Sequence, residues 1–419
     1  MKKILLTSIV IVTSLVTSWS QTTEIISMGN LYANQVFYSL DNGEVSNVSN
    51  TDWDLAFSAS GQGSAGSAIL INEATTRLWA VPQDSSFWSV FDTAGFWAWE
   101  ELLNSDTSWT NGAFNKYRGA NGSFFDMGWG VLNPSNNYWT LGDSLYLVKL
   151  SNQSYKKLKI NSLKQGVWEF QYADIDGKNK QVITINKANY SDRNFIYHSL
   201  SSNQTIDREP ANTSWDFTLL KHRDELMPGL IMMPVTSIFT NRNLWTAKSN
   251  EVDFASASVA VVPQTAYNQN VINIGREWKK FSKGVGTVYD SIAYFLHRDN
   301  ESQVYRIVFT DFGWSATGTA TCEFTKLGLE GVDALSENES VNIYPNPTEG
   351  ENVTIVFGEV KTMLSTIEVL NTLGEIILIK EIDQGVSSSL LNVSQLKSGL
   401  YFINLKGETT NLIKKLVIR

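Results

Sequence analysis

Short runs in which apolar and polar residues alternate recur along the whole chain. Val36-Phe37-Tyr38-Ser39-Leu40, Leu145-Tyr146-Leu147-Val148, Lys157-Leu158-Lys159-Ile160 and Val182-Ile183-Thr184-Ile185 are examples. A period of two places one set of side chains on a buried face and the other on a wet one, which predicts strands. Turn pairs such as Asn42-Gly43 and Asp176-Gly177 separate these runs, as hairpins require. The run Gly95–Leu103 (GFWAWEELL) predicts one short helix. The pattern as a whole predicts an all-β chain with minor helix.

The runs repeat in order. Phe37-Tyr38-Ser39-Leu40 followed by Trp53-Asp54-Leu55-Ala56-Phe57 is answered by Tyr197-His198-Ser199-Leu200 followed by Trp215-Asp216-Phe217-Thr218-Leu219. Arg77-Leu78-Trp79 is answered by Asn243-Leu244-Trp245, and Asp143-Ser144-Leu145-Tyr146 by Asp290-Ser291-Ile292-Ala293. Four matches in one order point to a tandem of two similar β domains, 21–190 and 191–330. The first copy carries an insertion, 84–141, that holds Trp88, Trp97, Trp99, Trp109, Trp129 and Trp139.

A linker at 331–340 leads to a different module at 341–419. It opens on Tyr344-Pro345-Asn346-Pro347, passes Leu373-Gly374-Glu375 and Ser398-Gly399-Leu400-Tyr401, and ends in Lys414-Lys415-Leu416-Val417-Ile418-Arg419. This module resembles, along its whole length, the type A sorting domain of type IX secretion. The resemblance implies an Ig-like β-sandwich whose partner is the type IX secretion machinery. It also makes Tyr344, Pro345, Asn346, Pro347, Gly399, Lys414, Lys415 and Arg419 the sorting signal.

The other end fits export as well. Lys2 and Lys3 precede the apolar stretch Ile4–Val16, and Ser18 and Ser20 offer small residues for cleavage before Gln21. That stretch is shorter than the roughly 20 residues a spanning helix needs, so 1–20 reads as a removable signal peptide. No transmembrane segment is expected in the mature chain. A net charge of −9 argues against nucleic acid as a partner, because phosphates demand a basic surface. The one cysteine, Cys322, excludes an internal disulfide and a cysteine-based zinc cage; its alternating surroundings make it a small core hydrophobe.

The strand blocks Phe37–Leu40 with Trp53–Phe57, and Ala293–Leu296 with Val304–Phe312, resemble the HmuY-like haem-binding family. That resemblance implies haem as a cofactor, held by two histidines between the Trp-Asp block and the late hairpin. Here the interval holds no histidine in the first copy and only His222 in the second. Met127 in the first copy, and Met227, Met232 and Met233 in the second, are soft side chains able to stand in as axial ligands. His222 with Met232 or Met233 is therefore the candidate haem site. His198 and His297 lie on expected strands and read as exposed or satisfied side chains rather than ligands.

Enzyme signatures are missing: the three histidines accompany no nucleophile elbow, zinc motif or Cys-His pair. Asp126, Glu169 and Asp174 are carboxylates in name for glycoside hydrolysis. The sharpest local feature is the aromatic insertion, where Trp97 and Trp99 are candidates to hold a glycan or planar ligand. The sequence reading is a non-enzymatic secreted or cell-surface binding protein (adhesin or glycan binder), acting on an extracellular ligand or anchored at the outer membrane. A haem or small-ligand binder of HmuY type is the alternative, and a secreted hydrolase the second alternative.

Overall fold

The computed structural model describes residues 21–61, 66–120, 122–225, 232–249, 266–282, 285–289, 291–299, 301, 303–327, 341–349, 351–357, 364–371, 375–382, 386, 388–407 and 411–419. The expected signal segment 1–20, the linker 331–340, Met227, and the Leu373-Gly374 turn lie outside them. The chain divides into two compact units, the first ending at Leu327 and the second beginning at Gly328. The fold is all-β.

In the first unit the alternating runs form four large sheets. An eight-stranded sheet carries Arg77–Asp84, Ser144–Lys149, Tyr155–Lys164 and Val167–Asp174 at its centre. A five-stranded sheet pairs Gln21–Ser27 with Thr319–Leu327 and continues through Val304–Phe312 and Ala293–Arg298 to Leu244–Ser249. The two four-stranded sheets are the instructive ones. Phe195–Ser199 pairs with Leu55–Ser58, while Asn34–Ser39 pairs with Phe217–Glu225. Each sheet thus joins a hairpin from one half of the chain to a strand pair from the other.

The expected division at 190/191 therefore cuts between hydrogen-bonded strands instead of between two cores. One core combines Leu55, Phe57, Trp129 and Phe170 with Ile196 and Leu200. The other combines Val36 and Tyr38 with Phe217, Leu219, Ile307 and Phe309. Each hairpin buries its apolar face against the opposite half, and these non-local contacts hold residues 21–327 in one unit.

Matched residues make matched contacts across the exchange. The Asp54 backbone N–H donates to His198 O (3.0 Å) and that of Asp216 to Tyr38 O (2.8 Å). Asp54 Oδ2 accepts the Leu200 N–H at 2.8 Å, and Asp216 Oδ2 accepts the Leu40 N–H at 2.7 Å. Trp53 meets Tyr197 edge-on at 4.9 Å, and Trp215 meets Phe37 at 5.1 Å. Asn72 and Asn241 donate side-chain N–H groups to the carbonyls of Trp53 (2.9 Å) and Trp215 (2.8 Å). Each Asp thereby satisfies an orphan turn N–H from the other half. The halves differ in charge: Asp216 is ion-paired with Arg298 at 2.6 Å, whereas Asp54 accepts from Thr76 Oγ1 at 3.0 Å.

The helix expected at Gly95–Leu103 is not formed. A single 3-10 turn spans Phe96–Ala98, Trp99 is already extended, and Glu101–Leu102 is a strand paired with Leu78 and Trp79. The pairing buries Leu102 in the core, a gain that outweighs one isolated turn of helix.

The second unit is a sandwich of a three-stranded and a four-stranded sheet. Val353, Ile355, Ile367, Val369, Ile403 and Leu416 are among the residues of its core. Its final strand, Asn411–Ile418, pairs along its whole length with Gly399–Gly407.

Candidate functional site

A cavity of about 600 Å³ lies in the first unit, walled from both four-stranded sheets and from the aromatic insertion. Trp53 and Trp215, which open their strand blocks, both line it, as does Trp109 from the insertion. The Trp109 Nε1 donates to Thr240 O at 2.7 Å, and its ring packs at 5.7 Å against both Phe195 and Phe239. The Trp53 and Trp215 indole N–H groups find no acceptor among the described residues. The wall mixes these rings with polar and charged side chains, Glu73, Lys116, Glu209 and Arg223 among them.

Two carboxyls are buried in the same wall. Glu73 accepts the backbone N–H of Asn104 (2.7 Å) and of Arg223 (3.0 Å). Glu209 accepts those of Asn194 (3.1 Å) and Phe195 (3.0 Å), and the Tyr197 hydroxyl at 3.2 Å. Burial pushes both carboxyls up to about 7, although these donors pull the other way. Burial has the opposite effect on two histidines: His198 and His222 are each pushed down to about 4.

These shifts have opposed consequences for stability. A histidine buried neutral contributes stability above its ordinary 6.5 that is lost as the pH falls through 4. A carboxyl buried neutral contributes stability below its ordinary 4.5 that is lost as the pH rises through 7. Between 4.5 and 6.5 the folded chain holds protons on two carboxyls and the unfolded chain on two histidines, so these groups leave stability flat. Replacing Glu73 and Glu209 by Gln removes one side of that balance. The urea midpoint of the double variant is expected to fall steadily from pH 6.5 to 4.5 relative to the parent. Parallel midpoints would contradict neutral burial of the pair.

The structure separates the residues that the sequence singled out. His222 lines the cavity, is 4% exposed, shares a 2.7 Å hydrogen bond from Nε2 to Ser237 Oγ, and packs on Phe239. Met232 also borders the cavity. Register pairs His222 with Val235 and Met232 with Glu225, an odd offset that puts His222 and Met232 on opposite faces of the ribbon. Met233 shares the His222 face but is 43% exposed and lies off the cavity wall. Haem, the cofactor implied by the family resemblance, would need two side chains converging on one iron. With His222 Nε2 engaged by Ser237, Met232 on the opposite face and Met233 exposed off the cavity wall, His222 and these two methionines do not supply that pair.

None of the remaining candidates among the described residues borders the cavity. His198 bonds Thr205 through Nδ1 at 3.2 Å, and His297 stacks on Trp245. Met127 is buried and receives the Ser67 hydroxyl at 3.3 Å. Glu169 accepts from Asn161 at 2.9 Å, Asp174 is paired with Lys156, and Asp126 bridges to Val131; none borders the cavity. Trp97 is 81% exposed and Trp99 half-buried, and neither borders the cavity. Trp109, Glu73 and Glu209 do, and the sequence had not marked them. Six tryptophans in one insertion pointed to its chemistry without separating Trp109 from Trp97.

In the second unit the expected signal residues converge. Asn346 donates from Nδ2 to Lys415 O at 2.6 Å and accepts the Val417 N–H on Oδ1 at 2.9 Å. The Thr348 N–H donates to Val417 O, and the Arg419 N–H to Thr348 O, both at 2.9 Å. Gly399 pairs with Ile418. Tyr344, Pro345, Pro347, Lys415 and Arg419 are exposed around this clasp, and Lys414 is half-buried. Residues 342–419 match the model of the secretion system C-terminal sorting domain. The tail is a type IX sorting domain. It directs export and delivery to the cell surface or the medium, and the clasp ties the Asn346–Thr348 segment to the final strand. No described helix is long and apolar enough to cross a membrane. No curated protein sequence matches the chain. A solved structure described as "Biofilm associated protein - BSP domain" is 9% identical over 97% of this chain and 67% of that one, with a TM-score of 0.16. That likeness is too slight to imply a shared fold.

Proposed function

We propose that the first unit is a non-enzymatic binding module, exported by the sorting domain, that holds a small organic ligand in the aromatic cavity. The observation that carries this reading is the cavity itself: a void in the usual size range for ligand sites, walled by aromatic rings. The carboxyls that border it are tied to backbone N–H groups, which favours binding over proton transfer. The matched Trp-Asp contacts support descent of the two halves from one repeat, and the HmuY-like resemblance fits that reading as a ligand-binding scaffold without the iron ligands.

A second reading, an adhesive or glycan-binding surface, is favoured by Trp97 and Phe124, each 81% exposed, because bare aromatic rings mark contact sites. A thermal-shift screen separates the two. A ligand that binds only the folded chain stabilises it by mass action. In the cavity reading Leu220→Trp, which fills the void, abolishes the shift while Trp97→Ala retains it. The reverse pattern would favour the surface.

A further inference from the structure

Two cations from distant parts of the chain, Lys187 and Arg242, converge just beyond the strand Leu55–Ser58, and neither lines the cavity. Arg242 Nη1 donates to Ser60 Oγ at 2.9 Å. Lys187 Nζ donates to the carbonyls of Gly61 (3.2 Å) and Gly66 (3.0 Å). Consecutive residues, Ser60 and Gly61, thus hold both cations. Burial, and after it the charge of Arg242, push Lys187 down to about 8. All of these hydrogen-bond partners are neutral, and no ion pair among the described residues includes either cation. The Nε and Nη2 groups of Arg242 are buried and have no acceptor among the described residues; the guanidinium lies over the Phe195 ring at 5.2 Å.

The matched position in the other half is satisfied. Asn72 and Asn241 correspond, and the residues that follow them are Glu73 and Arg242. Glu73 accepts two backbone N–H groups, whereas the fork of Arg242 meets nothing of opposite charge. Glu209 acts on Arg242 through its charge alone, because its oxygens are taken by the Asn194 and Phe195 N–H groups and the Tyr197 hydroxyl. Like charges drawn out of water without a counter-ion are costly. An oxyanion supplies both missing elements. It neutralises the two cations, and its paired oxygens suit Nε–H and Nη2–H, the parallel donors that a carboxylate or phosphate takes side-on. Both cations are half-buried and Gly61 is exposed, which puts the pair near the surface. The free donors are shielded, so side chains must shift on binding, as interface rotamers commonly do. A net charge of −9 makes the chain a poor binder of anions in general.

We propose that Arg242 and Lys187 form a binding site for a small oxyanion, a phosphate or carboxylate group, separate from the cavity. The full chain is titrated by calorimetry at neutral pH with inorganic phosphate, and in parallel with acetate and methyl phosphate, the ionic strength held constant with sodium chloride. The expected result is saturable one-to-one binding of phosphate or acetate, weakened at least tenfold by Arg242→Gln and by Lys187→Gln with unchanged circular dichroism spectra. Should one of these variants not fold, the other carries the test. Lys178→Gln, which removes the same charge from an exposed lysine paired with Asp176, is expected to leave binding unchanged. Methyl phosphate bound at least tenfold more tightly than inorganic phosphate, and lost in the same variants, would support the site with its anion carried on a larger molecule; equal or weaker binding would support it with a free anion. No saturable binding of any of the three, or binding indifferent to Arg242→Gln and Lys187→Gln, would overturn the proposal and leave the cavity reading untouched.

Discussion

Removal of Lys414–Arg419 is expected to leave the protein in the periplasm. These residues form most of the final strand, and Leu416 and Ile418 are buried in the tail's core. Losing two such side chains forfeits about 1.5–3 kcal/mol each. The Asn346 clasp to Lys415 and Val417 goes with them, so the Tyr-Pro-Asn-Pro segment loses its anchor. A small sandwich has little reserve against that sum. Residues 21–327 form their own unit and should keep their circular dichroism spectrum. Cell fractionation checks the outcome: truncated protein still reaching the surface or medium would show that the sorting domain works without its last strand.

Trp215→Ala is expected to destabilise the first unit by about 3–5 kcal/mol, the range for deleting a fully buried large aromatic. Trp215 is 3% exposed, meets Phe37 edge-on, and sits beside the Asp216–Arg298 ion pair. Its counterpart Trp53 is only half-buried, so Trp53→Ala should cost less, about 1–3 kcal/mol. Both variants loosen the same exchange, because each indole packs on a hairpin from the other half. Urea unfolding of the two gives the difference directly. Equal costs would mean that the matched positions are energetically alike, and a Trp215 cost below about 1 kcal/mol would mean that the indole anchors nothing.

The strands were legible because a period of two survives in the sequence wherever one face is buried. The Trp-Asp pairs were legible as anchors because they recur in matching company. The exchange of hairpins was not, since Phe195–Ser199, buried throughout, reads alike whether it packs on its own half or on Leu55–Ser58. The helix at Gly95–Leu103 was misread because Leu102 answers to Leu78, far from it in the chain. Much the same limit hid the site. Trp53, Trp109 and Trp215 come together only through long-range pairing, and Glu73 and Glu209 gain their character from burial. His222 was visible as a lone histidine, but its relation to Met232 depended on a register that no composition records. The sorting domain was legible because its motifs sit at the two ends of one module, where the fold joins Asn346 to Lys415 and Val417.

The most direct test of the cavity as the ligand site is to locate a bound ring by its own scattering. Crystals of the full chain soaked in 1-bromonaphthalene are expected to show a single strong anomalous bromine peak between Trp109 and Trp215. A cavity empty of bromine, with the peak instead beside the exposed rings of Trp97 or Phe124, would contradict it.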